Sequence, residues 1–281
     1  MPTLMEERFL DPSLAVERPR KGSTLALLCC DVKIFIGNLY LAGGCLLLPG
    51  FLWIVPEKVI TIPVKFNPAH IPIKFITVPV FNPELYARGV NTLIAGMACV
   101  LLAALLDLFL VHCRTSQGKQ IEIQMLRTDT AATSGKLGVV ISSVCQVLGA
   151  AALLAGCIVF LPQFSTTSPP KVICGIDAPD LGNDLFQAGA VLYFMGACLA
   201  IFGTFSAIYG ATLSGRRTAP LWASVVAFLL FICTSTLFFV NGRLPTAQAV
   251  IAGQLRVAAS VCLLTAICIL YVVTIMEVRS R

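Results

Sequence analysis

Six stretches of the chain run for about 18 or more residues with almost no charge, the length that crosses roughly 30 Å of hydrocarbon as an α-helix. They lie at 34–55, 88–112, 137–161, 185–212, 220–240 and 253–276. The pattern predicts an all-α, polytopic membrane protein with six transmembrane helices arranged as three tandem hairpins. Pro220 suits a first helical turn, where its missing N–H costs little.

The spans divide the chain. Residues 1–33 form an N-terminal arm, and 34–112 a first hairpin with a long outer loop at 56–83. A connection at 113–136 leads to a second hairpin at 137–212, a turn at 213–219 to a third at 220–276, and a tail follows at 277–281. Composition agrees with this reading. The chain is 57% hydrophobic and only 12% charged over 281 residues, too little polar surface to cover a water-soluble globule.

Orientation follows from Lys and Arg, which accumulate on the cytoplasmic side of short connections. Arg8, Arg18, Arg20 and Lys21 lie in the arm, and Arg114, Lys119, Arg127 and Lys136 in the second connection. Arg216 and Arg217 follow in the fourth connection, with Arg279 and Arg281 in the tail. The opposite connections carry Lys58, Lys65, Lys74, Lys171 and Arg243. Both termini are therefore expected in the cytoplasm, and the net charge of +6 reads as a topology signal. No basic cluster is interleaved with exposed aromatics, so a nucleic-acid partner is not expected. The acidic residues of the first 24 positions and their lack of an apolar core argue against a signal or transit peptide. The chain names no organelle.

An internal repeat accompanies the spans. Leu41-Ala42-Gly43 with Leu48-Pro49 returns as Leu154-Ala155-Gly156 with Leu161-Pro162. Glu84-Leu85-Tyr86 with Gly89 and Gly96 returns as Asp184-Leu185-Phe186 with Gly189 and Gly196. Gly253 and Ser260 supply a third, fainter copy of the seven-residue spacing. Two helical turns return a residue to nearly the same face. Gly89 and Gly96, Gly189, Gly196, Gly203 and Gly210, and Gly253 are thus expected to line helix-packing seams, because in lipid small residues let backbones approach and gain dispersion contacts. A glycine-lined conduit is the alternative, disfavoured by the scarcity of polar residues on those faces.

The paired spans with Leu41-Ala42-Gly43-Gly44 and Leu154-Ala155-Gly156-Cys157, each followed by Leu-Pro, resemble the YrhK-type membrane domain, a two-helix hairpin unit. The resemblance covers two of the hairpins and rests on glycine placement and hydrophobicity. It implies a hairpin architecture and carries over no catalytic or ligand residue.

Ionisable residues inside a bilayer are costly and default to functional candidates. Asp107, near the inner end of the second span, and Arg256, near the outer start of the sixth, are the two. At 1.5 Å per residue they stand roughly 24 Å apart along the membrane normal, too far for one proton relay. Glu84 and Asp184, preceded by Asn82-Pro83 and Asn183, read as capped helix starts. His70 and His112 flank no ligand cluster, and no zinc spacing, hydrolase motif or nucleotide loop is present. No cofactor, metal site or catalytic set is expected. Most of the 12 cysteines lie in spans as small hydrophobes. Cys29, Cys30 and Cys113 fall at the cytoplasmic boundary, where S-palmitoylation is a candidate modification.

The loop 56–83 alternates apolar residues with prolines and lysines, which predicts short extended edges broken by proline turns. Its apolar character marks it as a surface for the bilayer or for another membrane protein. The connection after Pro162 reads as an ordinary solvated loop. The function expected from these features is structural or organisational, without catalysis. The alternative is a transporter or channel for a small neutral or weakly polar solute, with Asp107 near its inner mouth.

Overall fold

The computed structural model describes residues 24–64, 74–122, 130–165, 171–213, 218–241, 244 and 248–279, with backbone alone for the helix ends 24–31, 114–122 and 130–137 and for most of the first ribbon. Six long helices dominate: α1 Thr24–Trp53, α2 Pro83–Glu122, α3 Thr130–Val159, α5 Ala178–Leu213, α6 Ala219–Asn241 and α7 Ala249–Arg279. Each contains a segment long and apolar enough to cross a membrane, and the chain is a polytopic helical membrane protein.

The helices overrun the apolar stretches. α1 begins at Thr24, inside the expected arm 1–33; most of the expected connection 113–136 is helix; α7 runs to Arg279, into the expected tail. Hydropathy locates only the part of a helix that meets hydrocarbon, while backbone hydrogen bonding continues into the headgroups. α2 starts with Asn82, whose Oδ1 accepts from the N–H of Glu84 at 3.1 Å and of Leu85 at 3.3 Å, so Asn82 caps the helix and Pro83 occupies its first position. α5 departs from the same expectation. It begins at Ala178 with Asp180 in its first turn, leaving Asn183 and Asp184 inside the helix and not at its start.

Each long helix packs against its neighbours in sequence, and α7 returns to α1. The result is a closed ring of six antiparallel helices. Closure runs along both helices: where α1 begins and α7 finishes, the Tyr271 ring lies over Gly37 and its hydroxyl donates to Asn38 Oδ1 at 2.7 Å, and midway Gly44 meets Leu264 and Ile267. The opposite end carries two antiparallel ribbons. Strands β1 (Lys58–Val64) and β2 (Lys74–Val80) pair Lys58 with Val80 and Val64 with Lys74, in the loop where extended edges are expected. The expected solvated loop contains a short helix, α4 (Pro162–Ser165), and a minimal ribbon, β3 (Val172–Ile173) with β4 (Ile176–Asp177). Its turn uses Cys174 at φ 51° and Gly175 at φ 81°, the positive values a two-residue hairpin turn requires.

Within each hairpin the helices meet at rungs seven residues apart. In α1 and α2, Gly43 faces Gly96 and Gly50 faces Gly89. In α3 and α5, Ser142 faces Gly196, Gly149 faces Gly189, and Gly156 faces Gly182. In α6 and α7, Thr234 faces Ala259 and Asn241 faces Ala252, while Ala227 and Ala266, one heptad further along, are fully buried. A Cβ on Gly189 would stand 3.0 Å from the Gly149 carbonyl oxygen, so these are backbone-to-backbone approaches.

Three expectations for the glycines change. Gly203 and Gly210 are exposed, with open space where a Cβ would stand; a helix drifts about 20° per heptad, so the far members of the stripe rotate away from the contact set by Gly189. Gly253 is buried against Val55 and Pro56, with Val55 Cγ1 3.1 Å from its would-be Cβ. It therefore serves the joint between α7 and α1, and the rungs of α7 fall on alanines. Finally, if Gly96 is matched with Gly196, then Ser142, and not Gly156, takes in α3 the place of Gly43 in α1. A seven-residue pattern looks the same after a slide of two heptads, and only the partner helix fixes the register.

Candidate functional site

Small residues draw each hairpin tight, and larger side chains turn toward the axis of the ring. They leave a cavity of about 300 Å³ there, at the lower end of the roughly 300–1,000 Å³ of ligand pockets. All six long helices contribute: Lys33, Tyr40 and Phe51 from α1, Asp107 from α2, Gln146 from α3, Tyr193 and Phe186 from α5, Phe238 from α6 and Tyr271 from α7. The α1 residues from Lys33 to Phe51 span about 27 Å at 1.5 Å per residue, most of the hydrocarbon depth.

Polarity is graded along this depth. The end nearest the chain termini holds Lys33 and Asp107, with Tyr40 and Tyr193 within electrostatic range of one another. Leu47, Met97 and Leu153 line the walls further along. Thr234, Ser235 and Thr274 also line the cavity, but their hydroxyls donate to the carbonyls of Leu230, Phe231 and Leu270 at 2.8–2.9 Å. Those residues offer the cavity acceptor lone pairs and no free proton. Among the described residues no hydrogen bond engages the Gln146 amide or the Tyr40 and Tyr193 hydroxyls, which supply the donors.

Three phenylalanines close the other end, one from each hairpin. Phe51, Phe186 and Phe238 stand with ring centroids 5.4, 6.2 and 6.5 Å apart, and Phe160 extends the cluster 5.7 Å from Phe186. Such tilted and edge-on contacts suit the ring quadrupoles. Toward the ribbons, polar side chains return outside the cavity's lining. Tyr86 donates to the Phe160 carbonyl at 3.0 Å and meets Ser165 Oγ at 3.3 Å. With the Asn241 amide oriented to suit its neighbours, its nitrogen donates to the Ala252 carbonyl at 3.0 Å and its oxygen accepts from Arg256 Nε at 2.6 Å. Arg256 is within electrostatic range of Tyr86 and Cys157.

Of the residues singled out in the sequence, Asp107 lines the cavity and Arg256 lies beyond the phenylalanines at the opposite end. Gly89, Gly96, Gly189 and Gly196 lie at rungs behind the cavity wall. Cys113 is half-buried, while the side chains of Cys29 and Cys30 lie outside the described residues. Among the described residues no group of three or more His, Cys, Asp or Glu stands together. Sequence reasoning missed Tyr40 and Tyr193. Their signal was a phenol in the middle of an apolar span, which needs a polar neighbour in lipid.

The ring and its axial cavity define a helical membrane protein with an internal chamber. No family model, curated protein or solved structure matches the chain, so the functional reading rests on this geometry.

Proposed function

We propose that the protein binds, and passes across or within the membrane, a small, mainly apolar solute carrying a weakly polar group. The observation that supports this reading is the axial cavity, whose walls come from every span and whose free donors gather near Asp107. Solid packing along the axis is what a purely organisational role would need. Entry is from the Lys33 and Asp107 end, which the distribution of Lys and Arg assigns to the cytoplasm together with both termini. The three hairpins are read as copies of one unit, with the phenylalanine triangle as the constriction where they converge. The protein acts without catalysis and without a cofactor.

The test is native mass spectrometry of protein extracted from its own membrane, together with solute flux in liposomes. A molecule retained one-to-one and lost in Ala190→Phe, which projects a ring into the cavity, supports the proposal. Flux that disappears in Asp107→Asn, with folding intact, supports it further. Absence of any retained molecule and flux equal to empty liposomes would reject it.

A partner-packing role has one supporting observation of its own: Gly203 and Gly210 lie open on α5 beside exposed Phe202 and Tyr209. In this reading, shared with the outer loop 56–83, Gly210→Leu releases a copurifying membrane protein without unfolding the ring.

A further inference from the structure

The axial cavity carries a belt of unshared protons partway along its depth. Tyr193 stands seven residues from Phe186 and Tyr40 eleven from Phe51, which places them about 10 Å and about 16 Å along their helices from the phenylalanine triangle. The α3–α5 rungs put Gln146 opposite Leu192, so it stands at the level of Tyr193. The Tyr193 ring is seated on Gly149, where a Cβ would stand 2.8 Å from its Cδ2. All three residues line the cavity. None has a hydrogen-bond partner among the described residues, and none of their polar atoms is sealed off. Two phenols and one amide therefore offer their protons to the same compartment. An unmatched donor among apolar walls is costly, and here three are gathered in one place.

We infer that this belt recognises a neutral carbonyl compound with a ring-sized apolar body, its oxygen held by Tyr40, Gln146 and Tyr193 and its body directed toward the phenylalanines. A carbonyl oxygen has two lone pairs and no proton, so it accepts from the belt and brings no donor of its own into an apolar wall. The rings of Phe51, Phe186 and Phe238 offer faces and edges to a planar body. A charged head does not suit the same place. The α1–α2 rungs, continued inward, put Lys33 opposite the residue before Asp107, so one cation and one carboxylate share a level at the inner mouth, and each is engaged within the protein. Their charges offset one another, and Lys33 is seven residues, about 10 Å, beyond Tyr40 along α1. The belt thus has no net charge with which to compensate an ion. The inference rests on reading the axial cavity as a solute site and names the chemistry of that solute.

The test uses the full chain in zwitterionic nanodiscs, with benzophenone as a photoreactive probe. Crosslinks mapped by mass spectrometry are expected on the peptides of α1, α3 and α5 that hold Tyr40, Gln146 and Tyr193. Acetophenone is expected to displace the probe at about tenfold lower membrane concentration than ethylbenzene, its match in size without the oxygen, on the scale of one or two net hydrogen bonds. It is also expected to outcompete α-methylbenzyl alcohol, whose hydroxyl adds a proton. Tyr193→Phe, which removes only the hydroxyl, is expected to cut the preference for acetophenone over ethylbenzene several-fold, and Tyr40→Phe with Tyr193→Phe to abolish it. Should the double variant fail to fold, the carbonyl stretch of isotope-labelled acetophenone in the wild-type protein reads the same bond and is expected below its frequency in protein-free lipid. Crosslinks in the cavity with equal displacement by acetophenone and either competitor, or an unshifted carbonyl stretch, overturn the carbonyl assignment and leave the solute cavity standing. Crosslinks confined to lipid-facing residues overturn both.

Discussion

A Cβ on Gly96 would stand 3.0 Å from the carbonyl oxygen of Gly43, and a Cβ on Gly43 would stand 2.9 Å from the carbonyl oxygen of Gly96. The approach is reciprocal, and the carbonyl that each glycine meets is backbone, which cannot rotate out of the way; a Cβ on Gly43 would also meet Val100 Cγ2 at 2.7 Å. Gly96→Ala must therefore spread α1 from α2, at a cost of about 1–3 kcal/mol. Gly203→Ala and Gly210→Ala meet open space and should be neutral or slightly stabilising, since alanine is the better helix former. Thermal unfolding in mild detergent checks the contrast. Equal melting temperatures for Gly96→Ala and Gly203→Ala would remove the packing argument.

The second and third hairpins place hydroxyls where the first has only glycine. Ser142 donates to the Gly196 carbonyl at 2.8 Å, and Thr234 reaches the Ala259 carbonyl at 3.3 Å while also bonding Leu230. Interhelical bonds of this kind in membranes average about 0.6 kcal/mol and reach about 1.7. Ser142→Ala is thus expected to cost more than Thr234→Val, because the Ser142 bond is shorter and Thr234 holds its main partner within its own helix. Thr236→Val, exposed and bonded only to Ile232, serves as the baseline near zero. Unfolding monitored by helical signal in a denaturing detergent orders the three.

The sequence made the spans legible because hydrocarbon thickness imposes a length on every crossing helix, and it made the seven-residue spacing legible because lipid rewards small residues in a row. Register was another matter. Gly156 looks like the counterpart of Gly43 in its Leu-Ala-Gly setting, yet it faces Gly182, and Ser142 faces Gly196. Nothing in one helix distinguishes a heptad from the next; the partner does. The cavity was hidden for a similar reason. Tyr40, Gln146 and Tyr193 stand far apart in sequence, and only closure of α7 on α1 turns them toward one space. Asp107 was visible because a carboxylate in a span is conspicuous alone.

Phe51, Phe186 and Phe238 line the ribbon end of the axial cavity in mutual contact, one ring from each hairpin. Trimming one ring should widen that end. Phe238→Ala is expected to raise passive flux of a small neutral solute such as glycerol through reconstituted protein several-fold, while Val240→Ala, on the exposed side of α6, leaves it unchanged. The substitution also costs stability, about 3–5 kcal/mol for a fully packed ring, so Phe238→Leu provides an intermediate with the fold preserved. Stopped-flow light scattering on proteoliposomes measures the ordering. A flux the same for wild type, Phe238→Leu and Phe238→Ala would mean that the triangle is not on any solute path.

Cys174 gives a way to read which end of the ring faces outward. It is exposed at the tip of the second ribbon, on the same end as Phe160 and Ser165, whereas Cys145 and Cys157 are buried in α3. Cys45, Cys233 and Cys268 are exposed on the long helices, where hydrocarbon keeps a charged reagent from reaching them. The proposed orientation, with both termini in the cytoplasm, places the ribbon end outside. A membrane-impermeant maleimide added to intact cells should then label the protein once, and Cys174→Ser should abolish the label. Permeabilisation should add reaction at Cys113, half-buried near the opposite end of α2. Labelling of Cys113 in sealed cells, with Cys174 protected until lysis, would invert the topology and with it the cytoplasmic entry assigned to the Asp107 end of the cavity.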